Sequence, residues 1–141
     1  ASAAGQSPEV VERMRRFGEL AGIAFQIKDD LFDYGGGVDI GKPTGLDIKE
    51  RKLTLPLIHA LQMVDGAERR WMVNVVKNHN EDDKAVAELV RRVVKANGVA
   101  HAQERMYAFR DQALEVLHTF PHNEARQALE DLLQLTVERT K

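Results

Sequence analysis

Apolar residues recur at helical spacing along most of the chain. Between residues 83 and 97 the apolar positions follow the i, i+3, i+4, i+7, i+8 series that places them on one face of an α-helix: Val86, Leu89, Val90, Val93 and Val94. Strand signals, which are alternating apolar and polar residues joined by Asn-Gly or Asp-Gly turns, do not separate the apolar segments. The pattern therefore predicts an all-α protein.

Capping residues and helix breakers divide this pattern. Ser7, followed by Pro8, predicts the start of a first helix that runs to about Tyr34. A glycine-rich, charged loop is expected from Gly35 to about Lys52. Further helices are predicted over residues 55–64, 67–78, 83–97, 99–120 and 123–140, with Asp65-Gly66, Gly98 and Pro121 as the breaks between them. These later helices are expected to form a scaffold.

The first predicted helix has two different faces. One is an apolar stripe that we expect to be buried, made of Leu20, Ala24, Ile27 and Leu31. The roughly opposite face carries small residues, then an amide, then carboxylates: Gly18, Gly22, Gln26, Asp29 and Asp33. The two glycines are consistent either with the close approach of another helix or with the wall of a cavity.

Asp29, Asp30 and Asp33 place like charges close together on this helix. Like charges at i, i+4 cost about a few tenths of a kcal/mol unless a cation neutralises them. Mg²⁺ is a natural partner, because it takes oxygen ligands and is usually held by one or two carboxylates together with substrate phosphates. A solvated acidic face is the alternative, but the apolar sequence on both sides of the cluster favours a cavity.

The loop that follows offers cations for such a phosphate. It contains Lys42 and Lys52, together with Asp39 and Asp47. The segment GGVDIGKP nearly matches the nucleotide-binding pattern GxxxxGK[ST], but Pro43 stands where a metal-binding hydroxyl belongs and the loop follows a helix instead of a strand. A nucleotide P-loop is therefore excluded.

The amino-acid composition argues against several classes of function. Twenty Lys and Arg against 22 Asp and Glu give a net charge of −2, which predicts no nucleic-acid partner. Cysteine is absent, so neither a disulfide framework nor a thiolate zinc site is expected. No apolar run is long enough for a membrane span, and the first residues do not resemble a signal peptide, so a cytoplasmic location is expected.

Residues 25–33, FQIKDDLFD, resemble the second aspartate-rich motif, FQxxDDxxD, of the trans-isoprenyl diphosphate synthases, or polyprenyl synthetases. The resemblance continues through residues 41–47, GKPTGLD, and residues 52–58, KLTLPLI, which are similar to the family's GKxxGxD and GKxTLP segments. Arg51 stands where the family usually has the glycine of GKxTLP.

This resemblance implies an isoprenoid synthase-type helical bundle, of which residues 1–141 would form a single all-helical C-terminal part. The family's first aspartate-rich motif belongs well upstream, and no second cluster of that kind occurs in the chain. We therefore expect a C-terminal fragment that is inactive by itself, and a homodimer for the full-length protein.

The implied reaction is the Mg²⁺-dependent head-to-tail condensation of an allylic prenyl diphosphate with isopentenyl diphosphate. By resemblance Asp29 would ligate Mg²⁺ directly, with Asp30 and Asp33 as further ligands or water-mediated support. Lys42 would contact the allylic diphosphate and Lys52 would support it. Gln26 would face the reacting cation, and Phe25 would help to wall the cavity. The catalytic residues implied are Gln26, Asp29, Asp30 and Lys42.

Three alternatives remain open at the level of the sequence. A class I terpene cyclase would share the all-helical fold and the metal-dependent ionisation of a diphosphate. A non-catalytic subunit of a heteromeric prenyl synthase would have lost its upstream motif. A helical interaction module would carry no chemistry.

Overall fold

The computed structural model describes residues 7–34 and 45–139, and within these residues it is helical with no strand. Its helices are α1 (Pro8–Phe32), α2 (Leu46–Lys49), α3 (Leu55–Met63), α4 (Gly66–Asn78), α5 (Asp83–Lys95), α6 (Gly98–Leu117) and α7 (Glu124–Glu138). The prediction of an all-α protein is confirmed.

Most helices begin at a side chain that caps them. The Ser7 hydroxyl accepts a hydrogen bond from the Val10 backbone N–H at 3.2 Å, as expected for the start of α1. Asp65, Asp82 and Asn123 cap α4, α5 and α7 in the same manner, each accepting from backbone N–H groups of the first turn. Short polar residues ahead of apolar periodic segments therefore fix where these helices start.

Apart from shifts of two or three residues at helix ends, the prediction differs from the structure in two places. The short helix α2 lies inside the segment expected to be loop, and residues 35–44 of that segment lie outside the described residues. Gly98 does not close α5, as the sequence predicted, but begins α6. The left-handed residue after α5 is Asn97, whose φ is 65°.

Gly98 is required for a different reason. A Cβ at this position would lie 2.3 Å from the Pro56 carbonyl oxygen and 2.9 Å from Val93 Cγ1. Only glycine lets the start of α6 approach the start of α3 this closely. The close contact with Pro56 and Val93, and not the termination of a helix, therefore explains why glycine occupies position 98.

The described residues pack as two compact units. The first comprises α1 up to Lys28 together with residues 105–139, and the second comprises residues 29–104. Buried side chains of the first unit include Leu20, Ala24, Ile27, Met106, Leu117, Leu133 and Val137. The core of the second is formed by Tyr34, Ile48, Leu57, Ala60, Met72, Val75, Val76, Val86, Leu89 and Val93.

The predicted apolar stripe of α1 is buried along its whole length. Leu20, Ala24 and Ile27 lie in the core of the first unit, and Leu31 is buried in the second. Its periodicity alone was sufficient to identify the inward face of this helix.

Candidate functional site

The aspartate motif lies at the C-terminal end of α1. Asp29 is exposed and Asp30 is half-buried, while Gln26 one turn earlier is exposed and Phe25 is half-buried. The last turn of α1, which the structure describes in full, carries no basic side chain. Because a helix C-terminus already bears a partial negative charge, these carboxylates add to a potential that favours a cation.

Gly18 and Gly22 lie on the exposed side of α1. A Cβ added to either residue would meet no atom within 4 Å in the described part of the chain. Neither glycine is therefore explained by the close approach of another described helix, which was one of the two interpretations of the sequence.

Asp33 lies outside the helix and has a different environment. Its side chain is 0% exposed. Its Oδ2 accepts a hydrogen bond from the Asp47 backbone N–H at 3.1 Å, and its carbonyl oxygen accepts from the Gly45 N–H at 2.9 Å. The prediction that Asp29 and Asp33 lie together on one helix was wrong, because α1 ends at Phe32 and Asp33 belongs to the hydrogen-bonded turn that follows it.

Lys52 is the predicted cation that the structure describes. Its Nζ lies 3.2 Å from Glu50 Oε1 and 3.8 Å from Asp47 Oδ1. The hydrogen bond that Lys52 donates to the Glu50 carboxylate, together with the negative charge of Glu50, raises the pKa of Lys52, and the carboxylates of Asp47 and Asp30 raise it further. Lys52 therefore lies within electrostatic reach of the motif, whereas Lys42 and Asp39 fall outside the described residues.

Tyr34 and Thr54 are buried hydroxyls that the sequence reasoning did not assign to the site. Burial is the main cause of a raised pKa for Tyr34, and the carboxylates of Asp33, Asp47 and Asp30 raise it further, while the Thr54 hydroxyl acts in the opposite direction. Tyr34 directly follows the aspartate motif, which is the only signal in the sequence that could have identified it.

Lys28 is a buried lysine inside the motif. Its burial lowers its pKa, and the charge of Arg139 lowers it further. Since lysine is rarely buried, the helical pattern gave no sign of this placement.

The aspartate motif offers carboxylate oxygens, which are the ligand type that a hard divalent cation prefers. Within the described ranges, no three aspartate, glutamate or histidine side chains come together as a ready-made metal cage. Asp29 and Asp30 instead offer oxygen atoms at adjacent positions, one group exposed and the other half-buried. Mg²⁺ is commonly held in this way, by one or two carboxylates with water and substrate phosphates completing the shell.

Comparison with known proteins identifies the family. Residues 1–93 match the family model described as Polyprenyl synthetase. The chain belongs to the polyprenyl synthetase family. It is 37% identical over 137 residues to heptaprenyl diphosphate synthase component 2 of Geobacillus stearothermophilus, a match that covers 94% of this chain and 40% of that protein.

Solved structures of polyprenyl synthetases share the fold. A decaprenyl diphosphate synthase from Rhodobacter capsulatus superposes with a TM-score of 0.86 at 35% identity, over 97% of this chain and 42% of that one. A polyprenyl synthase from Caulobacter crescentus, crystallised with calcium and isoprenyl diphosphate, superposes with a TM-score of 0.84 at 28% identity, over 98% and 42%. The chain thus spans about two-fifths of the length of these relatives.

Membership of the polyprenyl synthetase family confirms the resemblance read from residues 25–58. The matched proteins are named as prenyl diphosphate synthases. None of the described helices combines the length and apolar character needed to cross a membrane. The cytoplasmic location stays a prediction.

Proposed function

We propose that this chain supplies the second metal-binding motif and part of the allylic diphosphate site of a prenyl transferase. The enzyme would join an allylic prenyl diphosphate to isopentenyl diphosphate head to tail. The observation that carries the proposal is the placement of Asp29 and Asp30 at the end of α1, with Lys52 Nζ 3.8 Å from Asp47 Oδ1 and the Asp47 N–H hydrogen-bonded to Asp33 of the same motif.

In the proposed reaction, these residues stabilise a diphosphate leaving group. When the allylic carbon–oxygen bond breaks, negative charge accumulates on the departing oxygens, and fixed cations lower the energy of that state. Bound Mg²⁺ would neutralise part of this charge as a Lewis acid. Asp29 and Asp30 would hold the ion, Asp33 would stand close behind them, and Lys52 and Lys42 would contact the diphosphate oxygens.

Two further side chains complete the proposed site. Gln26 would face the allylic cation with its amide oxygen, and Phe25 would help to exclude water from the reacting carbons. The crystal structure of the Caulobacter crescentus relative contains a divalent cation and an isoprenyl diphosphate, which supports ligands of this type here.

Asp29→Asn in the full-length protein tests the proposal. We expect turnover to fall by about 100-fold or more, equivalent to about 3 kcal/mol of transition-state stabilisation, and the Mg²⁺ requirement to rise. The measurement is diphosphate release from an allylic substrate with isopentenyl diphosphate as acceptor.

Asp111→Asn is the matched control, because Asp111 is an exposed aspartate on α6 that pairs with Arg110. It should leave turnover unchanged. Near-normal turnover of the Asp29→Asn protein would refute the metal-binding role.

A second candidate is a subunit of a heteromeric prenyl synthase. One relative is named as component 2 of a heptaprenyl diphosphate synthase, which favours this alternative specifically. The two candidates differ in whether the purified full-length protein condenses the substrates alone, as the expected homodimer, or only after a second polypeptide is added.

A further inference from the structure

The chain returns to the end of α1 after residues 35–44, and Asp33 holds it there. The Gly45 N–H donates to the Asp33 carbonyl oxygen, and the Asp47 N–H donates to Asp33 Oδ2. Asp33 therefore joins the last residues before this stretch to the first residues after it. Lys42 lies between the two joined ends.

The second of these hydrogen bonds caps helix α2. Gly45 occupies the N-cap position of α2 but has no side chain that could accept from the first turn. A capping residue in its place would be strained, because its φ is +81° and a Cβ would lie 2.5 Å from Val86 Cγ1, which would have to move. The Asp33 carboxylate supplies from the end of α1 the acceptor that Gly45 lacks.

Asp47 in turn contacts Lys52. Asp47, whose N–H is held by Asp33, lies 3.8 Å from Lys52 Nζ through its Oδ1. The Asp47 carbonyl oxygen also accepts a hydrogen bond from the Lys52 N–H at 2.8 Å. Asp33 thus contacts Asp47, and Asp47 contacts Lys52.

Burial separates Asp33 from its two neighbours in the motif. Its carboxylate has no exposed surface and already accepts from a backbone N–H, while Asp29 is exposed and Asp30 half-buried. Mg²⁺ in a substrate site usually keeps several waters and bridges to phosphate, which requires ligands that solvent can reach.

We propose that Asp33 is a positioning residue and not a metal ligand: by capping α2 through Asp47 it sets Lys52 relative to Asp29 and Asp30. This inference rests on the proposed function, since it concerns the same diphosphate site. A hydrogen-bonded carboxylate behind the ligands is a common way to orient a metal or phosphate site.

The test compares Asp33→Asn, Asp33→Ala and Asp29→Asn in the full-length protein. The asparagine amide oxygen can still accept from the Asp47 N–H, whereas alanine cannot. We expect Asp33→Asn to keep the half-saturating Mg²⁺ concentration within about twofold of the wild type, and Asp29→Asn to raise it by about tenfold or more. Asp33→Ala should weaken diphosphate binding, with a higher KM for the allylic substrate.

Hydrogen exchange of the Asp47 amide gives a readout that is independent of activity. Its protection should persist in Asp33→Asn and fall by about tenfold in Asp33→Ala, because a hydrogen bond to a charged group contributes about 1.5 kcal/mol or more. In the wild type, the Asp47 amide should be protected without Mg²⁺, and its protection should not change when Mg²⁺ is added. This measurement uses the wild-type protein alone and so does not depend on the folding of any variant.

The outcomes are separable. If Asp33→Asn raises the Mg²⁺ requirement as Asp29→Asn does, or if Mg²⁺ releases the Asp47 amide, Asp33 is a ligand and the inference is overturned. If Asp29→Asn leaves turnover and the Mg²⁺ requirement unchanged, the proposed function fails, whatever Asp33 does.

Discussion

At the scale of single residues, the backbone of Arg51 is strained by its left-handed conformation. Its φ is 59°, in the left-handed region, and it shares that property with Asn97 among the described non-glycine residues. Asparagine tolerates this conformation, while arginine gains nothing from it and its Cβ is crowded. The family to which the chain is similar usually has glycine at the position of Arg51, which agrees with the backbone found here.

We expect Arg51→Gly to raise the free energy of unfolding by about 0.5–1 kcal/mol, the left-handed penalty less the extra entropy of glycine in the unfolded chain. Urea denaturation of the wild type and variant measures the difference. Arg51→Ala is the control, since it removes the same side chain but keeps a Cβ, and it should not stabilise the protein. A gain of equal size in both variants would show that the side chain and not the backbone is responsible.

At the scale of helices, α3 and α6 meet through a pair of histidines. The rings of His59 and His101 are stacked with centroids 3.8 Å apart and an angle of 5° between their planes. Partial burial lowers the pKa of His59 below its usual value of 6.5, the charge of His101 lowers it further, and Glu104 acts in the opposite direction. The folded protein thus favours neutral His59.

This shift makes stability depend on pH. Because the unfolded chain binds a proton on His59 more readily than the folded protein does, the free energy of unfolding should decrease as the pH falls below about 6.5. It should level off once the pH is below the folded pKa. Denaturation midpoints across this range measure the effect.

In the His59→Gln variant the free energy of unfolding should change less with pH than in the wild type. His122→Gln, which changes an exposed histidine, should leave the pH dependence of the free energy of unfolding as in the wild type. An unchanged slope in His59→Gln would assign the pH dependence to other groups.

At the scale of the whole molecule, the chain spans about two-fifths of the length of its relatives. By the family resemblance, ionisation of a diphosphate is expected to require the first aspartate-rich motif as well as the second, and the sequence of this chain contains only the second. Cations held by one motif alone would leave much of the negative charge that develops on the diphosphate unneutralised.

We therefore expect the 141-residue chain by itself to show no prenyl transfer. The assay is product formation from an allylic diphosphate and isopentenyl diphosphate with Mg²⁺, with the full-length protein as the positive control. A helical circular dichroism spectrum of the same sample would exclude unfolding as the cause. Measurable product would show that the residues described here are sufficient for catalysis.

Much of the fold could be predicted because helix formation depends on neighbouring residues. The period of Leu20, Ala24, Ile27 and Leu31 identified the inward face of α1, and Ser7 marked its start. The motif FQIKDDLFD was sufficient to identify the family from the sequence, since its residue types and spacing are specific.

The parts that could not be predicted depend on residues far apart in the chain. The sequence by itself determined the helical class, the apolar face of α1 and the location of the acidic motif, because a periodic pattern and a cap act over a few residues. Tertiary structure alone decided that Asp33 is buried against Asp47, that Gly98 makes room for Pro56, and that Lys49 pairs with Asp83 across helices α2 and α5. Each of these follows from the packing of segments that local pattern does not relate to one another.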